Sequence, residues 1–523
     1  MLLLPFITFR VSSLFAQEPH HAIELHLQVG TFDPLVDAPQ VAPPMQAAES
    51  GTQTYLVQFK GPSTEAWKAD VTGAGAQLYG YVPDYSLIAR MDDAALAQVR
   101  AFPFVRWVGP YHPAYRLSPE LSAAHTAAGA NLLVDVELLP GIDLDRVAAR
   151  VNQLGGAVRE RAANQFASSL RVSIPGARIA DLAALDGVLW LEPSQEMVLL
   201  NDLGGGGIMR VEAVRQSLGL YGRGQIVGVA DTGLDTGQKT NLHTDLRGRL
   251  IQGFCLGRTS PCDWSDPNGH GTHVAGSVLG NGAASGSNPS THSYAGSFAG
   301  AAPEAQLVFQ SIEGPSGTLS GIPLDHGDLM RQGYRQGARI HTNSWGGRTC
   351  ANPPSCTQFG YGGYETSSVN VDRVAWEQKD MLILFAAGND GTDANANGVV
   401  DPDSMMQPGT AKNALTVGAS ENNRAAGGYN PAGPCSSWGD CWPDKYPASP
   451  ISGDLPSDNP NGMAAFSGRG PTDDGRIKPE VVAPGTNILS LNSHHPNAGA
   501  GAWGPYDEDY VYMGGTSMAT PLV

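Results

Sequence analysis

The sequence predicts an α/β protein in which a doubly wound parallel sheet is preceded by two small α+β modules of ferredoxin-like order. Three observations lead there. Two N-terminal stretches repeat one order of elements, the composition changes at Gly204–Gly207, and after Gln225 short runs that are apolar on both faces alternate with helical stretches. With 523 residues the chain exceeds one average domain. Lys+Arg 32 against Asp+Glu 50 leave a net charge of −18, which, with no basic run, argues against nucleic acid or an anionic membrane as partner. A hydrophobic content of 41% is enough for buried cores, and wholesale disorder is excluded.

The chain opens on an apolar run, Met1 to Ala16, followed by Gln17 and Glu18, the layout of a secretory signal over residues 1–17. Arg10 interrupts the run and no basic residue precedes it, so a buried strand is the competing reading. No other stretch reaches the roughly 18 apolar residues that a membrane span needs. Residues 50–118 form the first module: extended Tyr55–Phe59, a helix after Pro62, Gly75-Ala76-Gln77-Leu78, a helix from Asp92, and a closing Val105–Pro110. Residues 130–200 repeat the order with Leu132–Leu138, a helix from Asp143, Gly156-Ala157-Val158, a helix from Ile179, and Val188–Pro193. Strand, helix, strand, strand, helix, strand is ferredoxin-like, and a tandem duplication is expected. Neither copy holds a constellation of His, Cys or paired carboxylates, so folding or binding is their expected work.

Residues 201–523 form the third part. The apolar runs Ile226–Ala230, Leu307–Ile312, Met381–Ala387 and Ala414–Val417 are separated by helical stretches such as Leu324–Gln336 and Val369–Lys379. This is the pattern of a parallel sheet covered on both faces. Chemistry in such sheets lies outside the carboxyl ends of the strands, so the residues just past the end of each run are the candidates.

Asp231 stands directly after the first run, in Asp231-Thr232-Gly233. Alone it reads equally as a turn former. His270 lies in Asn268-Gly269-His270-Gly271-Thr272-His273-Val274-Ala275-Gly276, where small residues let an imidazole reach a cleft; a lone His is more often structural. Ser517 lies in Gly515-Thr516-Ser517-Met518-Ala519 at a helix start, where a serine can be only an N-cap. Together the three are far more specific, because a hydroxyl needs an adjacent base and the base needs an acid to fix its tautomer. The order Asp, His, Ser differs from that of α/β-hydrolases and of chymotrypsin-like enzymes. Asn389, in Gly388-Asn389-Asp390-Gly391 after another run, reads alone as a turn residue. With the other three it offers an amide to an oxyanion.

On these motifs, with Asn343-Ser344-Trp345-Gly346-Gly347, the chain from about Asn201 to Val523 resembles the subtilisin-like serine proteases, or subtilases. Gly219–Gly237, His341–Gly346 and Phe466–Gly485 look most like their oxidation-stable alkaline branch. The resemblance implies a subtilisin-like fold, serine endopeptidase activity, and a triad of Asp231, His270 and Ser517 with Asn389 as oxyanion donor. It implies protein and peptide substrates paired to the backbone at Ser344, Trp345, Gly346 and Gly317, no cofactor for catalysis, and a monomer. It makes the two modules propeptides, the chain's own propeptide acting as intramolecular inhibitor, with cleavage near Leu200 and Met197–Leu200 held in the cleft. In the family the nucleophile opens a long helix; Val523 comes soon after Ser517, so the resemblance implies a C-terminally truncated domain with little activity of its own.

Two further signals concern stability and compartment. Cys255 with Cys262, Cys350 with Cys356 and Cys435 with Cys441 form short-range couples, which predict local disulfides and a secreted, extracellular protein; free thiols are the alternative. Asp393, Asn395 and Asn397 alternate before Gly398, Val399 and Asp401, matching the start of an EF-hand-type loop and predicting structural calcium, although Ser404 stands where a bidentate Glu belongs. A polar surface loop is the alternative. A second functional reading is a non-catalytic chain whose N-terminal modules inhibit a protease or bind a partner.

Overall fold

The computed structural model describes residues 23–48, 50–119, 121, 131–163, 168–194, 196–199, 208–348, 361–424, 426–429, 433, 435–499 and 503–523. The chain divides into two compact units. One comprises Met1–Leu132, Leu138–Ala157 and Ile174–Leu191; the other comprises Leu133–Glu137, Val158–Ser173 and Glu192–Val523.

In the first unit a hairpin, β1 (Leu25–Leu27) and β2 (Gly30–Phe32), precedes β3 (Gln53–Phe59), α1 (Glu65–Gly73), β4 (Gln77–Val82), β5 (Ser86–Met91), α2 (Asp93–Ala101) and β6 (Val105–Pro110). Thr64 and Asp92 cap the two helices, accepting from Trp67 N and Ala95 N, which fixes where each helix begins. The strands lie in the order β4-β5-β3-β6, every neighbour antiparallel, which is the ferredoxin-like arrangement expected. Val57, Phe59, Val71, Ala89, Met91 and Val99 form the core between helices and sheet. The hairpin lies outside the expected module.

The next stretch repeats the order with β7 (Asn131–Leu138), α3 (Leu144–Gln153), β8 (Ala157–Ala163), β9 (Ser168–Pro175), α4 (Ile179–Ala183) and β10 (Val188–Pro193). Strict alternation shows in β9, where Leu170, Val172 and Ile174 are buried and their neighbours half-buried. Strand β11 (Glu196–Leu199) comes next.

The large unit is built on a seven-stranded sheet. Its strands are β12 (Ile226–Asp231), β13 (Leu250–Cys255), β14 (Gln306–Ser311), β15 (Ile340–Asn343), β17 (Leu382–Ala386), β18 (Leu415–Ser420) and β19 (Val481–Pro484). They lie in the order β13-β14-β12-β15-β17-β18-β19, all parallel. The direction of winding reverses at β12, the place in such sheets where ligands bind outside the carboxyl ends of the strands. Period-two alternation divides the strands between two cores. Val227, Val229, Leu384 and Val417 join α6 (His270–Leu279) and α9 (Thr516–Leu522) on one face. Ala230, Ile383 and Phe385 join α7 (Gly327–Arg335) and α8 (Thr366–Glu377) on the other. Every residue of α6 is buried, so this helix has no solvent face, as a central helix must not.

Between these elements run α5 (Val211–Leu218), the short strand β16 (Trp345–Arg348), and the antiparallel pair β20 (Ile488–Leu491) and β21 (Tyr510–Met513), the last leading into α9. The expected runs reappear with ends displaced by a few residues, whereas β13, β15 and β19 add to them. Among the described residues no helix is long and apolar enough to cross a membrane.

Candidate active site

Asp231 is the last residue of β12, at the point where the winding reverses. The loop it opens lies against α6 and the segment just before it more closely than any side chain permits. A Cβ on Gly233 would come 1.9 Å from Ser265 O, and one on Gly271 2.3 Å from Gly233 O. Glycine at both places lets the β12 exit and the start of α6 touch through backbone. The contact is direct: His270 Nδ1 lies 2.5 Å from Asp231 Oδ1, both side chains fully buried. Asp231 Oδ1 also accepts the Thr232 backbone N–H at 2.8 Å. A carboxylate on Nδ1 fixes the tautomer of the imidazole. The second histidine of the motif does other work. His273 is buried, its Nε2 3.3 Å from Ile488 O, and burial, with the nearby His270 second, pushes its pKa down to about 3. It is a neutral structural residue.

Ser517 is the second residue of α9, which packs on α6. Its hydroxyl donates to the carbonyl oxygen of Ser344 at 2.8 Å, and the Ser344 hydroxyl donates back to Ser517 O at 2.7 Å. A serine has one proton to give, so the Ser517 hydroxyl donates here to Ser344 rather than to His270. Asn389 stands beyond the end of β17, and its Oδ1 accepts from Thr516 N at 2.8 Å and Thr516 Oγ1 at 2.9 Å. Two donors on the oxygen fix the amide orientation, its nitrogen directed away from Thr516. Thr516 Oγ1 in turn accepts from Gly388 N at 3.2 Å.

Beside Ser344 lies a strand edge. β11 runs antiparallel along β16, with Leu199 opposite Trp345, Val198 opposite Gly346 and Met197 opposite Gly347. Trp345 contributes only backbone to this edge, because its side chain is fully buried and Nε1 donates to Ala230 O at 3.1 Å. Gly317 differs from expectation. It stands in a turn, with φ of +78° and its N–H donating to Gly314 O at 3.1 Å, so residues 317–319 form no extended edge.

The acidic loop is closed on itself. Asp393 is fully buried and accepts from Asn397 N and Gly398 N, each at 2.9 Å. Asn395 Oδ1 accepts from Asn397 N, Asn397 Oδ1 from Val399 N, and Asp401 from Ala394 N and Asn395 Nδ2. These hard oxygens keep lone pairs beyond those bonds, so the donor set suits calcium. Ser404 Oγ accepts from Arg469 N at 3.0 Å, which engages it with the backbone of Arg469. Cys255–Cys262 and Cys435–Cys441 are disulfides, as expected; Cys350, Cys356 and residues 1–17 and 200 lie outside the described residues.

Two groups escape sequence reasoning. Asp266, four residues before His270, is fully buried and takes four hydrogen bonds from residues flanking the Asp231–His270 pair. Its position within Asp266-Pro267-Asn268-Gly269-His270 is the available signal. His243, His494 and Asp509 bring ligand-type atoms within 4.8 Å of one another. His243 Nδ1 accepts the Asp245 N–H at 3.1 Å, so Nε2 carries the proton and donates to Asp509 O at 3.0 Å. That tautomer, with the two imidazoles stacked at 3°, makes the cluster a hydrogen-bonded network.

The chain matches the subtilase family over residues 222–523. Two further family profiles match residues 26–112, a domain of unknown function, and residues 123–194, a domain named for peptidase inhibition. Serine protease/ABC transporter B family protein tagB of Dictyostelium discoideum is 31% identical over 59% of this chain and 17% of its own length. Serine protease AprX of Bacillus subtilis is 30% identical over 60% of this chain and 58% of its own. A subtilisin of Bacillus sp. strain TA39 is 31% identical over 55% of this chain and 53% of its own. The matches thus span from under a fifth to a little over half of these relatives' lengths.

Proposed function

This chain belongs to the subtilase family, and from that premise we propose that it is a secreted serine endopeptidase precursor which cleaves itself near Leu200. Ser517 Oγ attacks the scissile carbonyl carbon after rotating from Ser344 O to His270 Nε2, which takes its proton. Asp231 holds the imidazole and stabilises the imidazolium. The developing oxyanion is received by the Asn389 amide and the Ser517 backbone N–H. His270 then returns the proton to the leaving amine, and water hydrolyses the acyl-enzyme by the reverse sequence. No cofactor enters these steps.

The observation that carries the reading is β11 itself. A strand of the chain's own lies antiparallel on β16, its Leu199 opposite Trp345, one residue from the Ser344 carbonyl that holds the Ser517 hydroxyl. Antiparallel backbone pairing is how an extended peptide is read without regard to most side chains. Cleavage after Leu200 would leave β11 as a product strand and residues 50–118 and 130–200 as propeptide modules. The matched residues 123–194 support an inhibitory role for the second module. Ser344, Trp345 and Gly346 would pair with substrates, Gly317 bordering the same cleft. Residues 1–17 would direct export, consistent with the disulfides, and the 201–523 domain would act as a monomer.

Calcium would be held by Asp393, Asn395, Asn397, Asp401 and the Val399 carbonyl, gathering two carboxylates in one loop and stabilising the fold by mass action. Proteolysis of the loop with and without EDTA tests this, faster cutting in EDTA being expected.

The test of the whole is to react the full chain with a fluorophosphonate, map the label by mass spectrometry, and sequence the new N-terminus. Label on Ser517 and a terminus at Asn201, both lost in Ser517→Ala, are expected. Self-cleavage persisting in purified Ser517→Ala would remove that residue from its role. The alternative, an inhibitor or binding unit, gains if residues 55–200 inhibit a related protease while the full chain takes no label.

A further inference from the structure

Asp266 accepts from four donors, and each lies beside a triad residue. Oδ1 takes the Thr232 hydroxyl at 2.8 Å and the Gly269 N–H at 2.9 Å; Oδ2 takes the Thr272 N–H at 2.8 Å and the Thr272 hydroxyl at 2.6 Å. Thr232 is next to Asp231, while Gly269 precedes His270 and Thr272 stands two residues after it. The two threonines pass the linkage on. Thr232 Oγ1 accepts from Gly271 N at 2.9 Å, and Thr272 Oγ1 accepts from Asp235 N at 2.8 Å. One carboxylate thereby joins the loop that leaves β12 to the first turn of α6.

The chemistry of the partners settles its form. All four are donors, so the group is satisfied as a carboxylate, and a proton on either oxygen would displace one of them. Burial opposes this by raising its pKa, and the four bonds work the other way. A buried charge is retained at such a cost only where its bonds are complete. The Asp231–His270 contact of 2.5 Å joins two segments that are otherwise cross-linked through Thr232, Thr272 and close glycine backbone.

We propose that Asp266 is a positioning residue, which sets the Asp231–His270 distance by locking Thr232 against Gly269 and Thr272. The proposal rests on the triad reading above. In Asp266→Asn one oxygen becomes an amide nitrogen facing donors, so one pair of bonds is lost and the two segments separate.

The measurement is the rate of fluorophosphonate labelling of Ser517 in the folded full chain from pH 5 to 9, with kcat and KM on a peptide substrate. Asp266→Asn should label about 10²-fold more slowly, the size that misplacement by about 1 Å produces, with a displaced pH midpoint and KM within about twofold. Thr232→Val, which removes one donor to Asp266 and the acceptor of Gly271 N, should fall between, and the double variant should label more slowly than Asp266→Asn alone by less than the product of the two single effects, because the two side chains share one bond. A merely structural role would lower the folded fraction and leave the rate per folded molecule and its pH midpoint unmoved. If Asp266→Asn does not fold, Thr232→Val at the parental rate and pH midpoint overturns the proposal; so does parental labelling in folded Asp266→Asn. Labelling that survives Ser517→Ala would instead sink the triad reading and would show in the parent chain.

Discussion

Ser517 and Ser344 exchange hydrogen bonds, each hydroxyl donating to the other's carbonyl oxygen at 2.8 and 2.7 Å. Both acceptors are backbone, so replacing either side chain removes one bond and spares the other. Ser344→Ala removes the bond to Ser517 O and keeps the carbonyl that holds the Ser517 hydroxyl. It should cost about 1 kcal/mol of stability, read by urea unfolding, and leave Ser517 labelling within about threefold of parent. A loss of labelling on the scale of Ser517→Ala would show that the Ser344 hydroxyl matters to the chemistry.

Asn389 is held by its oxygen, through the two Thr516 donors. Asn389→Ala removes the amide and leaves α9 in place, so kcat should fall about 10²- to 10³-fold with KM little changed. Asn389→Asp keeps the acceptor for Thr516 but directs negative charge at the proposed oxyanion, and should fall further. Steady-state kinetics on a peptide substrate decides between the two.

His494 lies between two carboxylates, Nδ1 3.4 Å from Asp235 Oδ1 and Nε2 3.2 Å from Asp509 Oδ1. Asp235 foremost raises its pKa against partial burial. A raised folded pKa means stabilisation complete below the unfolded value and lost as pH rises through the folded one. The stacked His243 moves the other way, lowered by burial and by His494, and loses stability as pH falls. Melting temperature should therefore decline on the alkaline side, and His494→Gln should flatten that decline. An unchanged alkaline limb in the variant refutes the assignment.

Glu421 is buried, accepting from Trp438 Nε1 and Asn459 N, each at 3.2 Å. Burial, then the Asp454 charge, pushes its pKa up to about 8. The folded state holds its proton more tightly than the unfolded chain, so stability falls as pH rises from about 4.5 to about 8. Glu421→Gln keeps an acceptor for Trp438 and cannot ionise. It should be the more stable protein at pH 9 and no better at pH 5, by thermal unfolding.

The sheet is legible in the sequence where strands are apolar on both faces and illegible where they are not. β12, β14 and β17 stand out as runs of Val, Leu, Ile and Phe. β15 does not, because His341, Thr342 and Asn343 are polar and yet buried. The fold accommodates them by internal partners, His341 Nε2 lying 2.8 Å from Gln310 Oε1 and Asn343 Nδ2 donating to Leu384 O. Periodicity has no access to such pairings, which join residues far apart in sequence. In the candidate site, Asp231, His270, Ser517 and Asn389 could be proposed from the sequence because their glycine-rich surroundings are local. Asp266 could not, because its four bonds are visible only once β12 and α6 are side by side.

The pairing of β11 with β16 has a consequence in mass action. Both strands belong to one chain, so their pairing is unimolecular and its occupancy is indifferent to dilution. On the proposed cleavage near Leu200, the same contacts would become a bimolecular equilibrium. A pairing that saturates in the uncut chain would then dissociate according to how much protein is present, and the onset of the proposed activity would become a function of concentration.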